Sequence, residues 1–198
     1  ILDLSSAGHQ PMTSASGRFV ISYNGEIYNH NDLRFKLQEK VDWKGGSDTE
    51  TLLALIEING LEVALEKIIG MFAFVLWDKK ENSIYLVRDR LGEKPLYYGW
   101  QKGIFLFGSE LKTLRAHPCF DGEIDRGSIA LQFRHNCIPA PYSIYKGIKK
   151  LLPGTFLKLS DVNKGTFDRK LPEPQKYWSF TDTVESGIKS HFEGSESA

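Results

Sequence analysis

The middle of this chain is cut into short apolar segments, and that punctuation limits the fold more than any other feature. Residues 71–77, 84–87, 95–98 and 104–107 are apolar runs separated by Gly- and charge-containing turns. Runs of that length, bounded by turn residues and rich in aromatic and β-branched side chains, read as strands rather than helices. The first is bounded by Gly70 and by Asp78, Lys79, Lys80, Glu81 and Asn82, a turn. Turns this tight join antiparallel neighbours, whereas parallel strands need a long crossover. Residues 155–159 add a further strand.

Helix signals flank this block in pairs. Ser47, Asp48, Thr49 and Glu50 spell a capping box, in which Ser47 accepts from the Glu50 amide and Glu50 reaches back. Leu52, Leu55 and Ile56 form the apolar stripe of that helix, Gly60 is its terminator, and residues 61–68 continue as a shorter helix. Upstream, a β-rich run from Arg18 to Tyr23 ends in Asn24-Gly25, which on local chemistry predicts a hairpin turn. A helix capped by Asn29 or Asn31, with Leu33 and Leu37 on one face, follows. Another helix starts after Asp125, and a Pro-rich stretch covers residues 138–142. Beyond Asp161 the chain turns polar, with Pro172 and Pro174, and reads as a linker; residues 181–198 hold few large apolar side chains and are expected to fray. Strands in hairpins and helices in pairs predict α+β layers with largely antiparallel sheets.

Composition removes several function classes. The 25 basic and 25 acidic side chains cancel to a formal net charge of +0, so no nucleic acid and no membrane surface is expected as a partner. The longest apolar run falls far short of the ~20 residues that span a bilayer. Two cysteines, Cys119 and Cys137, make neither a disulfide framework nor a four-ligand zinc site, and a reducing, cytoplasmic location is the expectation. The chain opens at Ile1 without Met or a signal peptide, which suggests missing upstream sequence.

Four local patterns invite chemistry, and each has a structural explanation. Gly45-Gly46-Ser47-Asp48 opens a helix and could cradle a phosphate, but the cap explains Ser47 and Glu50 without one. The five histidines, His9, His30, His117, His135 and His191, are scattered, so no metal site is expected. His117 and Cys119 are two apart in a loop, too close in sequence to face each other as base and nucleophile; both cysteines read as buried structural thiols. Arg88-Asp89-Arg90 with Gly92 reads as a satisfied ionic turn whose glycine is left-handed.

A longer series of motifs resembles the glutaminase domain of glutamine-dependent asparagine synthetases. It comprises Ile1-Leu2-Asp3-Leu4-Ser5, Gly8-His9-Gln10-Pro11-Met12, Tyr23-Asn24-Gly25-Glu26-Ile27-Tyr28-Asn29, Ser47-Asp48-Thr49-Glu50 and Gly70-Met71-Phe72-Ala73-Phe74. Arg88-Asp89-Arg90-Leu91-Gly92, Lys94-Pro95-Leu96-Tyr97-Tyr98 and Ser109-Glu110-Leu111-Lys112 extend it, while Ile138-Pro139-Ala140-Pro141 and Leu152-Pro153-Gly154 favour the asparagine synthetase branch of the class II amidotransferases. The resemblance covers residues 1–160. It implies a four-layer αββα N-terminal-nucleophile hydrolase sandwich: two antiparallel sheets face to face, with helices outside.

The resemblance also implies a reaction and a site. A chain-terminal Cys thiolate attacks the side-chain amide of L-glutamine, with its own α-amine as base. The Asn24 side chain and the Gly25 N–H form the oxyanion hole. Ile1, Leu2 and Glu26 line the glutamine site, and Asp48 pairs with the substrate α-ammonium. The Cys, and an Arg that would clamp the glutamine carboxylate, belong upstream of Ile1. Downstream, Val184 to Phe192 resembles the first helix of an ATP-dependent synthetase domain, which amidates aspartate with the released ammonia. The expected organisation is therefore a glutaminase domain at 1–160, a linker at 161–180 and the start of a truncated synthetase domain at 181–198. No cofactor is expected in the glutaminase domain; ATP and Mg are implied for the synthetase domain, and a homodimer is left open. As supplied, without its thiol, the fragment is expected to be inactive. An amidotransferase with another acceptor (a surface polysaccharide or a secondary metabolite) and a catalytically dead interaction module remain as alternatives.

Overall fold

A computed structural model describes residues 3–160 and 171–190. Among these residues every strand pairing is antiparallel. Strands β1 (Met12–Thr13), β2 (Phe19–Ile27), β3 (Gly70–Asp78), β4 (Ser83–Arg88), β8 (Thr155–Leu159) and β9 (Gln175–Lys176) form one sheet in the order β1-β2-β3-β4-β8-β9. Strands β5 (Tyr97–Gln101), β6 (Ile104–Gly108) and β7 (Ile148–Lys150) form a second, in the order β6-β5-β7.

Strand alternation divides the apolar residues into layers. Ile21, Tyr23, Phe72, Phe74, Leu76 and Val87 leave the large sheet on one face and meet Leu52, Leu55, Ile56, Ala64 and Leu65 of helices α2 (Asp48–Asn59) and α3 (Leu61–Lys67), with α1 (His30–Leu37) contributing Leu33 and Leu37. Ala73, Val75, Leu86 and Leu157 leave the opposite face and meet Leu96, Tyr98 and Leu151 between the sheets. Leu106 and Ile148 on the far side of the small sheet are covered by Leu114 of α4 (Leu111–Arg115). This is the expected α+β sandwich, with helices outside two stacked sheets.

Five local expectations change. Asn24-Gly25 is not a turn: β2 runs through it without a break, paired to β3 from Phe19 to Ile27. The capping box is half formed. Ser47 Oγ accepts from Glu50 N at 3.1 Å, but the Glu50 carboxylate takes the Lys44 and Gly45 amides, at 2.8 and 3.0 Å. Cys137 is exposed and Cys119 half-buried, because neither loop reaches the core. Part of the expected linker is fastened to the sandwich: β9 pairs with β8, and Tyr177 Oη donates to the Arg88 carbonyl at 2.8 Å. The expected frayed tail is helical in α6 (Phe180–Lys189), after α5 (Arg126–His135) the last helix described, while 161–170 and 191–198 lie outside the described residues.

Candidate active site

The site is built along the edge of β2 that faces away from β3. Tyr23 N–H donates to Gln10 Oε1 at 2.6 Å, and Ile27 N–H donates to Asp48 Oδ2 at 2.9 Å. Backbone N–H groups two residues apart in a strand point to the same side. The Gly25 N–H therefore lies on this open edge as well, about 7 Å from each neighbour at ~3.4 Å per residue. Among the described residues no side chain accepts from it. Among the described residues it is a free donor, flanked by the Gln10 amide carbonyl on one side and the Asp48 carboxylate on the other.

Gly25 is required here by crowding rather than by a turn. A Cβ at this position would stand 2.1 Å from Met71 O and 2.6 Å from Phe72 Cα, and across the pair a Cβ on Gly70 would stand 2.1 Å from Glu26 O. The two backbones approach so closely that only glycine fits on each. Gly25→Ala is expected to destabilise the chain by about 1–3 kcal/mol, since the obstructing atoms are backbone and cannot rotate away. Thermal unfolding of the variant checks this.

The side chains of Asn24 and Glu26 leave β2 on the face opposite Tyr23 and Ile27, and both are exposed. Asn24 Nδ2 donates to Ser109 Oγ at 2.9 Å, which ties β2 to the turn after β6 and, among the described residues, leaves one amide hydrogen uncommitted.

Asp48 comes from the first turn of α2, where a carboxylate suits the helix dipole. The loop before it is braced. Arg34 stacks its guanidinium 4.0 Å from the Trp43 ring centroid, donates to the Gly45 carbonyl and bridges to Glu50, while Gly46 N–H donates to Asp3 Oδ2 at 2.9 Å. The amides that a phosphate would need at Gly45-Gly46 are thus already taken by carboxylates. Asp48 is buried, 5% exposed. Tyr23 Oη donates to Oδ2 at 3.1 Å, alongside the Ile27 amide. Burial, with Asp48 nearby, pushes the Tyr23 phenol far above its ordinary value, so it remains a donor.

The Arg88-Asp89-Arg90 turn supports the same strand pair. Asp89 Oδ2 accepts from Phe72 N–H at 3.2 Å and Lys94 N–H at 2.9 Å, and Oδ1 accepts from Leu91 and Glu93 at 3.1 and 2.9 Å. The Arg88 guanidinium donates to the carbonyls of Lys94, Leu151 and Gly92 at 2.8, 2.6 and 2.6 Å. Gly92 is left-handed, at φ +71°, as expected. The charges, however, are satisfied by backbone rather than by each other. Phe72 faces Gly25 across the sheet, so this turn anchors the strand behind the free donor.

Asn24, Gly25 and Asp48 are therefore brought to one strand edge, with Glu26 beside them on the exposed face. Ile1 and Leu2 lie outside the described residues. Sequence reasoning assigned no role to Gln10, Tyr23 or Ser109; reading residues 19–27 as one strand would have placed Tyr23 with Ile27 on the helix side. Two grooves, of about 540 and 380 Å³, lie against α2, and none of Asn24, Gly25, Glu26 or Asp48 lines either of them. Among the described residues no cluster of His, Cys, Asp or Glu is placed to hold a metal ion, and no helix is long and apolar enough to cross a membrane.

Known proteins resemble this chain in sequence and fold. Asparagine synthetase [glutamine-hydrolyzing] 3 of Bacillus subtilis (strain 168) is 37% identical over 191 residues, covering 94% of this chain and 31% of the relative. Putative asparagine synthetase [glutamine-hydrolyzing] 2 of Methanocaldococcus jannaschii is 39% identical over 209 residues, covering 96% and 40%. The chain thus spans about a third of the length of these curated relatives. Among solved structures, a glutamine phosphoribosylpyrophosphate amidotransferase from B. subtilis superposes with a TM-score of 0.57 at 18% identity, covering 88% of this chain and 33% of that one, which shows the fold alone. The family profile described as a glutamine amidotransferase domain matches residues 1–178, and the chain belongs to that family.

Proposed function

We propose that this domain hydrolyses L-glutamine to glutamate and ammonia, with the open edge of β2 as the place where the amide carbonyl is attacked. The observation that carries the reading is the free Gly25 N–H, held between Gln10 and Asp48 on that edge. Attack by a thiolate turns the planar amide into a tetrahedral oxyanion, and preorganised N–H donors stabilise that charge more than the ground-state carbonyl. The Gly25 amide and the uncommitted Asn24 Nδ2 hydrogen supply two such donors. Collapse of the intermediate expels ammonia and leaves a thioester, which water hydrolyses to glutamate. The nucleophile in this reading is a chain-terminal cysteine upstream of the residue corresponding to Ile1, with its α-amine as base. Ile1, Leu2 and Glu26 line the pocket, and Asp48 receives the α-ammonium. The names of the relatives support asparagine synthesis as the use of the ammonia. In this reading the ammonia passes to a synthetase domain that uses ATP and Mg to amidate aspartate, in a cytoplasmic protein, with a homodimer as one open assembly.

The test separates binding from chemistry in the protein expressed from its complete open reading frame. Asp48→Asn is expected to raise the KM for L-glutamine about tenfold or more while lowering kcat far less, because the contact holds a group remote from the reacting carbonyl. A fall in kcat with KM unchanged would overturn the binding role.

A further inference from the structure

The two oxygens of the buried Asp48 carboxylate are not equivalent. Oδ2 accepts both the Tyr23 hydroxyl, at 3.1 Å, and the Ile27 N–H, at 2.9 Å. Among the described residues Oδ1 accepts nothing. A carboxylate with neither oxygen bonded could rotate about χ2 and share its charge between two positions; with two donors converging on one oxygen, rotation breaks both bonds. The donors come from different sources: Ile27 contributes rigid backbone, while Tyr23 contributes a side chain packed against Phe74 at a centroid distance of 6.4 Å. Tyr23 is itself only 9% exposed, so its hydroxyl is fixed by packing.

We infer that Tyr23 is a positioning residue for substrate binding: its hydroxyl and the Ile27 amide together occupy Asp48 Oδ2, so that Oδ1 is presented to the α-ammonium of glutamine. This rests on the assignment of Asp48 to the ammonium. Tyr23 acts only through Asp48, with no contact to the reacting amide. Its consequence is confined to ligands that carry an amine. The des-amino compounds glutaramate and glutarate have the same carbon chain and terminal groups without the cation, and a displaced Oδ1 costs them nothing.

Tyr23→Phe keeps the aromatic ring and removes one oxygen. In the protein expressed from its complete reading frame, this variant is expected to raise the KM for L-glutamine about tenfold. The KM for glutaramate should not change, and kcat for L-glutamine should change less than about threefold. If turnover is too slow to follow, calorimetric binding of L-glutamate against glutarate reads the same difference. An unchanged KM for L-glutamine overturns the inference. Equal losses for amine-bearing and des-amino ligands overturn it too, since that is what general loosening of β2 would give. Asp48→Asn, measured beside it, separates the two layers. If that variant binds L-glutamine normally, the ammonium assignment has failed and the inference falls with it; if it loses binding while Tyr23→Phe does not, the role of Tyr23 alone has failed.

Discussion

Replacing Asn24 with alanine is expected to lower glutamine turnover about 10²–10³-fold, equivalent to about 3–4 kcal/mol of transition-state stabilisation. The magnitude follows from what the side chain does in the fold. Its Nδ2 is oriented by Ser109 Oγ at 2.9 Å, so the second hydrogen is held in place before any charge develops. A donor already in place needs no reorganisation when the oxyanion forms, and that saving is lost with the side chain. Gly25 N–H belongs to the backbone and survives the substitution, which sets a floor under the residual activity. The KM for glutamine should move little, because the interaction strengthens only as the carbonyl becomes tetrahedral. Asn24→Asp should be as damaging, since it replaces the donor with an anion facing the developing charge. Steady-state glutaminase assays on the protein from its complete reading frame check this, and turnover unchanged by Asn24→Ala contradicts it.

Asp89→Ala should have the largest effect on stability, a loss of about 3–5 kcal/mol. Asp89 is 1% exposed and accepts four backbone N–H groups, from Phe72, Leu91, Glu93 and Lys94. Alanine leaves those donors without a partner and removes a negative charge that favours the buried Arg88 guanidinium. For a domain of this size the loss corresponds to a fall of about 6–20 °C in melting temperature, measurable by circular dichroism. Asp89→Asn should cost less, since one acceptor oxygen remains. A melting temperature within about 2 °C of the parent would show that the turn rearranges without penalty. The damage should reach the site as well, because the Phe72 amide is held by Asp89 and Phe72 lies opposite Gly25.

Local chemistry made some elements legible and long-range contacts hid others. Helix α2 could be read from Ser47 to Gly60 because its cap, its apolar stripe and its terminator all lie within the segment. Strand β3 and the turn after it are likewise written in residues 70–82, and Asp125 caps α5 as its position suggested. Asn24-Gly25 misled because the residues that suit a tight turn also suit a strand crowded by its neighbour. Only the position of Met71 O, set by a strand far along the chain, decides between the two. The Glu50 carboxylate turned from its own cap to Lys44 and Gly45 because Arg34 draws it toward that loop. The pair formed by Tyr23 and Asp48 was invisible for the same reason: the residues are 25 positions apart, and nothing local to either names the other. The motif resemblance pointed to Asn24, Gly25 and Asp48 together, whereas periodicity and propensity alone gave each an ordinary structural role.

The Gly25 N–H on the open edge of β2 is expected to receive the carbonyl oxygen of glutamine. The most direct measurement is a crystal structure of the protein from its complete reading frame with L-glutamine or L-glutamate bound. The ligand's terminal carbonyl oxygen is expected to point at both Gly25 N and Asn24 Nδ2, placed so that about 2.7–3.1 Å is reached as the carbon becomes tetrahedral, with the α-ammonium on Asp48 Oδ1. A ligand seated instead in either groove against α2, with Gly25 N–H unengaged, would contradict a glutaminase site on β2.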